Sequence, residues 1–333
     1  MKIVSIILIS LLLLTSCEKV LFEEDLASSD PMDNFEYLWN ECNEKYSYFD
    51  LKGIDWDSVK SEYASKIFDG MSEDSLFQVL GGMLTALRDD HANLISNFNI
   101  SFFGVEYLGQ DNFDWRIIVD SYLTQDFYIS GPFRHNFIAN KELGYIRFAS
   151  FSGTADADNL SFILNRYKDT KGLILDLREN GGGAIADVFT ILSRFVETES
   201  TVNYSVIKSG PGHNEFSAPE PVIVQPSNGV RYTKNVAVLT DRGTYSSGSL
   251  LSLATKALPN MILVGDTTGG GLGMPNGGQL PNGWTYRFSI TQSLTLDKKP
   301  DYENGVPPDV LVLFDWNDLT RDEILDRAIE ELL

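Results

Sequence analysis

The chain has 333 residues, 43% of them hydrophobic and 22% charged, enough apolar material for one large or two ordinary domains with packed cores and unlike a disordered polymer. Against 26 Lys and Arg stand 47 Asp and Glu, a formal charge of −21, with no basic cluster to offset it locally. So acidic a body repels phosphate backbones and excludes nucleic acid as an expected partner.

In chain order, Lys2 precedes an apolar run from Ile3 to Leu14. The run is too short to span a bilayer and suits the hydrophobic region of a signal peptide over residues 1–16. It ends in Leu14-Thr15-Ser16-Cys17, which resembles the lipobox of bacterial lipoproteins. That resemblance implies cleavage before Cys17, acylation of its thiol and attachment to a membrane of the cell envelope, on the periplasmic face or the cell surface. An ordinary signal peptide with an idle Cys17 is the alternative. Residues 17–32 are polar and acidic and read as a tether. The other cysteine, Cys42, falls on an apolar helix face as a small core residue, and no Cys/His cluster has metal-site spacing.

Residues 33–96 read as a small helical domain. Phe35, Leu38, Trp39, Cys42 and Tyr46 recur at helical spacing, as do Trp56, Val59, Tyr63 and Ile67. A third helix opens at Ser72, a suitable N-cap with Glu73 and Asp74 behind it, and runs into Arg88-Asp89-Asp90-His91. Residues 97–333 change character. Trp115 to Leu123 and Tyr145 to Phe151 are strand-like, and Leu160, Ile163, Leu164 and Tyr167 mark a helix. Leu173 to Leu177 reads as a strand buried on both faces, leading through Asn180-Gly181-Gly182-Gly183 into a helix. Val236 to Leu239 repeats the pattern, leading through Asp241 to Gly248 into another helix. Met261 to Val264 leads into Gly269-Gly270-Gly271. Residues 284 to 290 alternate as a half-buried strand, and Thr320 with Glu323 suggests a capping box for a final amphipathic helix. This alternation predicts an α/β fold.

Gly-rich turns that open helices present unpaired N–H groups able to hold an anion, including an oxyanion. One such turn places Ser246 and Ser247 at a helix start, where they are either nucleophile machinery or merely caps. A serine nucleophile needs a base. His135 and His213 sit near Gly and Pro and read as surface residues, whereas His91 follows two aspartates that could orient it. Ser246 lies outside a G-x-S-x-G elbow, and neither a dinucleotide fingerprint nor a Walker sequence occurs.

Four ordered segments, LRDDHANL at 87–94, GLILDLRENGGG at 172–183, LTDRGTYSSGSLL at 239–251 with VGDTTGGG at 264–271, and ENGVPPDV at 303–310, resemble the tail-specific (C-terminal processing) serine proteases, in particular their tricorn-like branch. The resemblance implies a crotonase/Clp-protease-like ββα spiral core behind the helical domain, and hydrolysis of peptide bonds in a peptide or protein substrate without metal or organic cofactor. It assigns Ser246 as nucleophile, His91 as base, and Glu303 as a polarising acid. Asp90 stands beside the base where tricorn has Ser, so either Asp90 or Glu303 would orient His91. Gly182 and the N–H of Ser247 match oxyanion donors, with Gly181 or Gly183 as substitutes for Gly182. Two departures stand out. The lysine of Ser-Lys relatives falls on Gly271, which favours the His91 route, and residues 97–143 are too few for the PDZ module most relatives carry. The alternative within the same fold family is a non-catalytic lipoprotein binding a peptide or small apolar ligand. Oligomeric state is not legible.

Overall fold

The computed structural model describes residues 27–151 and 155–333. The signal peptide, Cys17 and most of the tether lie outside them. Helix α1 (Pro31–Lys45) starts where Asp30 accepts the Met32 and Asp33 amides, with Pro31 in the first turn, where a missing N–H costs nothing. After the single turn of α2 (Phe49–Lys52), Asp55 caps α3 (Trp56–Ala64) and Ser72 caps α4 (Glu73–Thr85), the latter as its sequence indicates. The chain then enters strand β1 (Asn93–Ile95).

Residues 115–123 are helical, not extended. Asp114 caps them by accepting the Arg116 amide, and Ile118 and Leu123 turn inward together on a widened turn. The β-branched Ile-Ile-Val run that suggests a strand is overridden by that cap and by burial. Next come β2 (Tyr128–Ser130), β3 (Phe133–Ile138), β4 (Leu143–Phe148), helix α5 (Ala157–Tyr167), β5 (Gly172–Asp176), α6 (Ile185–Leu192), β6 (Ser200–Ile207), β7 (Glu220–Val224) and β8 (Val236–Thr240). They are followed by α7 (Ser247–Thr255), β9 (Met261–Gly265), β10 (Pro275–Gln279), β11 (Thr285–Ser289), β12 (Thr291–Leu294), β13 (Val310–Leu311) and α8 (Glu323–Leu332).

The central sheet runs β13-β9-β8-β5-β4-β3-β2, parallel from β13 to β4 and antiparallel beyond. Its middle strands are buried on both faces, which is why they read as continuous apolar runs. Leu173, Leu175, Val236 and Val238 enter one core with α5, α6 and α7. Ile174, Ala237 and Leu239 enter the other with α8. The cap of α8 is Asp322, which accepts the Leu325 amide at 2.8 Å, rather than Thr320, whose hydroxyl turns back to Asp318. Asp322 also pairs with the buried guanidinium of Arg178, which reaches Asp176 on its other edge. The bridge fixes the end of β5 against α8, and so the start of the glycine turn.

Two three-stranded sheets complete the chain, β1-β11-β10 and β12-β6-β7. The first carries the helical region. Trp284, Tyr286 and Phe288 pack into the same cluster as Phe35, Leu80 and Leu84, so residues far downstream close the core of the N-terminal helices. His135 is a correction to the sequence reading. It is fully buried in β3, its ring nitrogens bonded to Ser130 Oγ at 2.9 Å and Tyr167 Oη at 2.7 Å. His213 stacks on Phe49 and reaches Asn43.

Candidate active site

The turn after β8 is built by its own side chains. Asp241 accepts the Thr244 amide and hydroxyl and also the Glu179 amide, tying this turn to the one after β5. The Tyr245 amide donates to Asn180 O, and the Ser246 amide to Gly270 O, each at 2.9 Å. Three strand ends therefore converge on Ser246. Its backbone is held at φ 55° and ψ −117°, a conformation rare for an L-residue, immediately before α7. Such strain persists only where the surroundings enforce it, and it concentrates at functional sites. Here it turns the hydroxyl out of the helix; no capping bond is made.

Ser246 Oγ lies 3.0 Å from Nε2 of His91. His91 arrives from the other side, on the turn between α4 and β1. That turn is shaped by Arg88 in a left-handed conformation (φ 53°). Lys52 Nζ donates to the Arg88 carbonyl at 2.8 Å, and the Arg88 guanidinium donates back to the Lys52 carbonyl. The imidazole is 7% exposed and stands edge-on to Tyr245. Burial lowers its pKa from the ordinary 6.5; Asp89 opposes this and Arg287 adds to it.

The neighbouring carboxylates sort differently from the expectation. Asp90 does not hold His91; its oxygens accept the amides of Phe103, Gly104 and Val105 at 2.6–2.9 Å and fix the following loop. Glu303 does not hold it either, because Glu303 Oε2 accepts the amides of Leu272 and Gly273 at 2.7 and 3.2 Å. His91 Nδ1 makes no hydrogen bond among the described residues; the Gly273 backbone favours the charged ring from outside bonding geometry. The acid bonded to this turn is Asp89. It accepts the His91 amide at 2.8 Å and the hydroxyls of Ser289, Tyr46 and Tyr245 at 2.9–3.2 Å. Burial would raise Asp89, but Lys52, His91 and these donors outweigh it and hold it below the usual carboxylate range. Glu303, also buried and near Asp89, is pushed up to about 8 despite Lys52, whose Nζ stands 3.7 Å from Oε1.

The oxyanion donors also change. The Gly182 N–H is already donated to Asn180 Oδ1 at 3.0 Å, so it is not free for a ligand. Among the described residues no acceptor takes the N–H of Gly183 or that of Ser247, and Ser247 Oγ ties the start of α7 to the glycine turn by donating to Gly183 O at 2.7 Å. Gly182 serves by being small. At φ 93°, a Cβ there would lie 2.7 Å from Ser246 Cβ. Gly271 has a similar explanation, since a Cβ would fall 2.2 Å from the Tyr245 ring. Tyr245 fills the space that a side chain at 271 would need.

A cleft of about 830 Å³ passes over Ser246 and His91. Ile185, Phe189, Val222 and Leu250 give it an apolar wall, and Arg287 and Asn203 add polar groups. A smaller cavity of about 270 Å³ is lined by Lys52, Asp89, Tyr245 and Glu303. Among the described residues no cluster could hold a metal ion. Lys52 and Tyr245 carry no role in the sequence reading, and Asp89 enters it only as one of the two aspartates before His91, whereas Asn180-Gly181-Gly182 carries the readable signature of an Asn side chain bonding the amide two residues on.

The family model of peptidase family S41 matches residues 142–312, and that of the tricorn protease C1 domain matches residues 28–85. The carboxy-terminal processing protease CtpA of Bacillus subtilis (strain 168) is 26% identical over 173 residues, which cover 51% of this chain and 35% of that protein. The chain thus spans about a third of the length of the curated relatives it matches first. A protein from Parabacteroides merdae ATCC 43184, solved as a candidate peptidase, is 38% identical with a TM-score of 0.87, covering 92% of this chain and 98% of that one. Mature CPAF shares the fold at 11% identity and a TM-score of 0.68, covering 91% of this chain and 96% of its own.

Proposed function

The chain belongs to peptidase family S41, and on that premise we propose that Ser246 and His91 hydrolyse peptide bonds by two-step acyl transfer at the cell envelope. Family membership supports a serine-peptidase activity. The observation that carries the mechanism is the 3.0 Å contact between Ser246 Oγ and His91 Nε2 at a strained helix start.

His91, neutral because burial disfavours its charged form, takes the Ser246 proton as the hydroxyl attacks a carbonyl. The N–H groups of Ser247 and Gly183 receive the developing oxyanion, each worth roughly 3–4 kcal/mol in comparable sites. The imidazolium then protonates the leaving amine, and water admitted to the same position releases the acyl group. Asp89 stabilises the imidazolium through space and fixes its backbone. Glu303 acts at one remove by holding Gly273. The apolar wall of the cleft favours an apolar side chain beside the cut, within a chain or near its end.

The Leu14-Thr15-Ser16-Cys17 sequence supports a lipid anchor, and we read residues 97–143 as lacking a PDZ module. Metabolic labelling with a fatty acid, lost in Cys17→Ala, is the check on the anchor. The mechanism is tested by fluorophosphonate labelling of the detergent-solubilised full chain. Wild type should label, and Ser246→Ala and His91→Ala should each lose about four orders of magnitude or more of turnover. Absence of labelling in folded wild type would favour a binding protein on this scaffold.

A further inference from the structure

Residues of all three strands of the sheet β12-β6-β7 line the cleft, and one of them carries a buried polar atom that the mechanism does not use. In β6 the register against β7 slips between Thr201 and Asn203, which makes Val202 an extra residue in the strand. The slip breaks the alternation of faces, so Val202 and Asn203 are consecutive and both buried. Val202 fills the core, while Asn203, opposite Val222, lines the cleft. Asn203 is 1% exposed. Its carboxamide has only one consistent orientation. One end lies 3.0 Å from the carbonyl oxygen of Tyr204, which can only accept, so that end is the NH2 group and the other is Oδ1. Oδ1 accepts no hydrogen bond among the described residues. A buried acceptor without a donor is costly, and a strand bulge beside an active site is a common way to re-aim a side chain.

Which half of a substrate meets Asn203 follows from the chemistry at Ser246. The oxyanion forms on the carbonyl of the residue ahead of the cut, and the N–H groups that receive it, those of Gly183 and Ser247, stand at the starts of α6 and α7. The side chain of that residue therefore enters the cleft beside these helices, away from His91, which serves the leaving amine. There it meets Phe189 of α6, Leu250 one turn behind Ser246, Val222 and Asn203. We propose that Asn203 Oδ1 accepts a hydrogen bond from the side chain of the residue ahead of the cut, which selects a residue with an apolar body and a neutral donor at its tip, a hydroxyl or a carboxamide. The donor is neutral because the Asn203 carbonyl is uncharged and Phe189, Leu250 and Val222 are apolar. A buried ammonium or guanidinium would lose its hydration there without gaining a counter-ion. The apolar wall holds any side chain of suitable size, whereas the buried acceptor separates isosteres, since an apolar tip covers Oδ1 without giving it a hydrogen bond. The proposal rests on the serine-peptidase mechanism above and adds a selectivity which that mechanism does not require.

The test uses the detergent-solubilised full chain and a defined pool of decapeptides that differ at one central residue. That residue is varied in pairs of similar shape, Thr with Val, Tyr with Phe and Gln with Met, and Lys is added as a cationic tip. Mass spectrometry of the products gives the position of each cut and the relative kcat/KM. In at least one pair, cleavage after the donor member should be about tenfold faster or more than after its apolar partner, the factor expected for one recovered hydrogen bond, and Lys should be cut no faster than Met. Asn203→Leu, which removes the acceptor at similar volume, should bring the donor-to-apolar ratio to within about twofold of one. Asn203→Asp, which keeps an acceptor and adds a charge, should raise the Lys-to-Met ratio about tenfold or more, and it carries the test if the leucine variant does not melt cooperatively. Ratios near one in all three pairs for wild type, a ratio retained in folded Asn203→Leu, an unchanged Lys-to-Met ratio in Asn203→Asp, or a pool left uncut by protein that labels with the fluorophosphonate overturns the proposal. Wild type that fails to label instead removes the mechanism on which it rests.

Discussion

Replacing Lys52 with methionine tests the buried charge cluster behind the candidate site. The ammonium is buried, bonded to the Arg88 carbonyl, and stands between two buried carboxylates, Asp89 and Glu303. Methionine fills similar volume but removes the charge. One part of the cost is independent of pH, because the Arg88 carbonyl loses its donor, about 1–3 kcal/mol. The other part depends on pH. Glu303 already titrates near 8 in the folded chain against an ordinary 4.5. A carboxyl with a raised folded pKa contributes stability that is fully present below the unfolded value and is lost as pH rises through the folded value. Without Lys52 the Glu303 window extends upward, and Asp89, losing its strongest favourable charge, rises too. The loss should therefore be modest at pH 5 and grow toward the roughly 3–5 kcal/mol typical of a broken buried pair at pH 9. At about 2 °C per kcal/mol for a chain of this size, that is a melting shift of roughly 6–10 °C at alkaline pH. Melting curves of both proteins by circular dichroism from pH 5 to 9 give the answer. Parallel curves, or a larger loss at low pH, would refute the assignment of Lys52 as counter-ion to Asp89 and Glu303.

Gly182→Ala should combine a left-handed backbone penalty of about 1–2 kcal/mol with a collision against Ser246 Cβ. Because a displacement of about 1 Å is enough for a hundredfold effect, fluorophosphonate labelling should slow by roughly that factor in protein that still melts cooperatively; labelling within about threefold of wild type would show that the turn yields elsewhere. Gly271→Lys, which places an amine where Ser-Lys relatives have theirs, should not substitute for His91. With φ at 69° and Tyr245 in the way, the double variant with His91→Ala should remain unlabelled. The pH profile of labelling should fall in acid with a midpoint below 6.5, because burial and Arg287 lower His91 against the opposing charges of Asp89 and Asp90, and only the neutral ring accepts the proton. A midpoint at or above 7 would contradict that environment.

What the sequence made legible was local. The Ser72 cap, the doubly buried runs of β5 and β8, and the glycine turns that follow them depend on neighbours in the chain. Ser246 at a helix start and His91 behind two aspartates are candidates by themselves, and it is the resemblance of the four ordered segments that assigns them as nucleophile and base. Asp89 and Asp90 could not be told apart in the same way. They are adjacent and chemically alike; which one turns toward the loop amides and which toward the buried hydroxyls is set by the left-handed Arg88 and by Ser289, a residue of β11. His135 departs from its sequence expectation for a related reason: the nearby Gly131-Pro132 suggests a surface loop, whereas Tyr167 and Ser130 satisfy both ring nitrogens and make burial tolerable. The helical stretch after Asp114 reversed a β-branched pattern through one cap and one buried face.

The same long-range dependence bears on how the site is held. Ser246 is fixed by the ends of three strand connections of the central sheet, through Asn180, Asp241 and Gly270. His91 is fixed by a different body of structure. Asp89, which anchors its backbone, is bonded to Ser289 of β11 and to Tyr46 past the end of α1, and β11 is also the strand that closes the core of the N-terminal helices. The distance between Ser246 Oγ and His91 Nε2 is thus a distance between two packed units, and residues near neither atom control it. Tyr245 is the direct tie. It precedes Ser246, its hydroxyl bonds Asp89, and its ring packs edge-on against His91. Gly271 keeps open the space that the ring occupies. A side chain at 271 and the Tyr245 ring packed against His91 are therefore mutually exclusive in this arrangement, which gives a steric reason for glycine at 271.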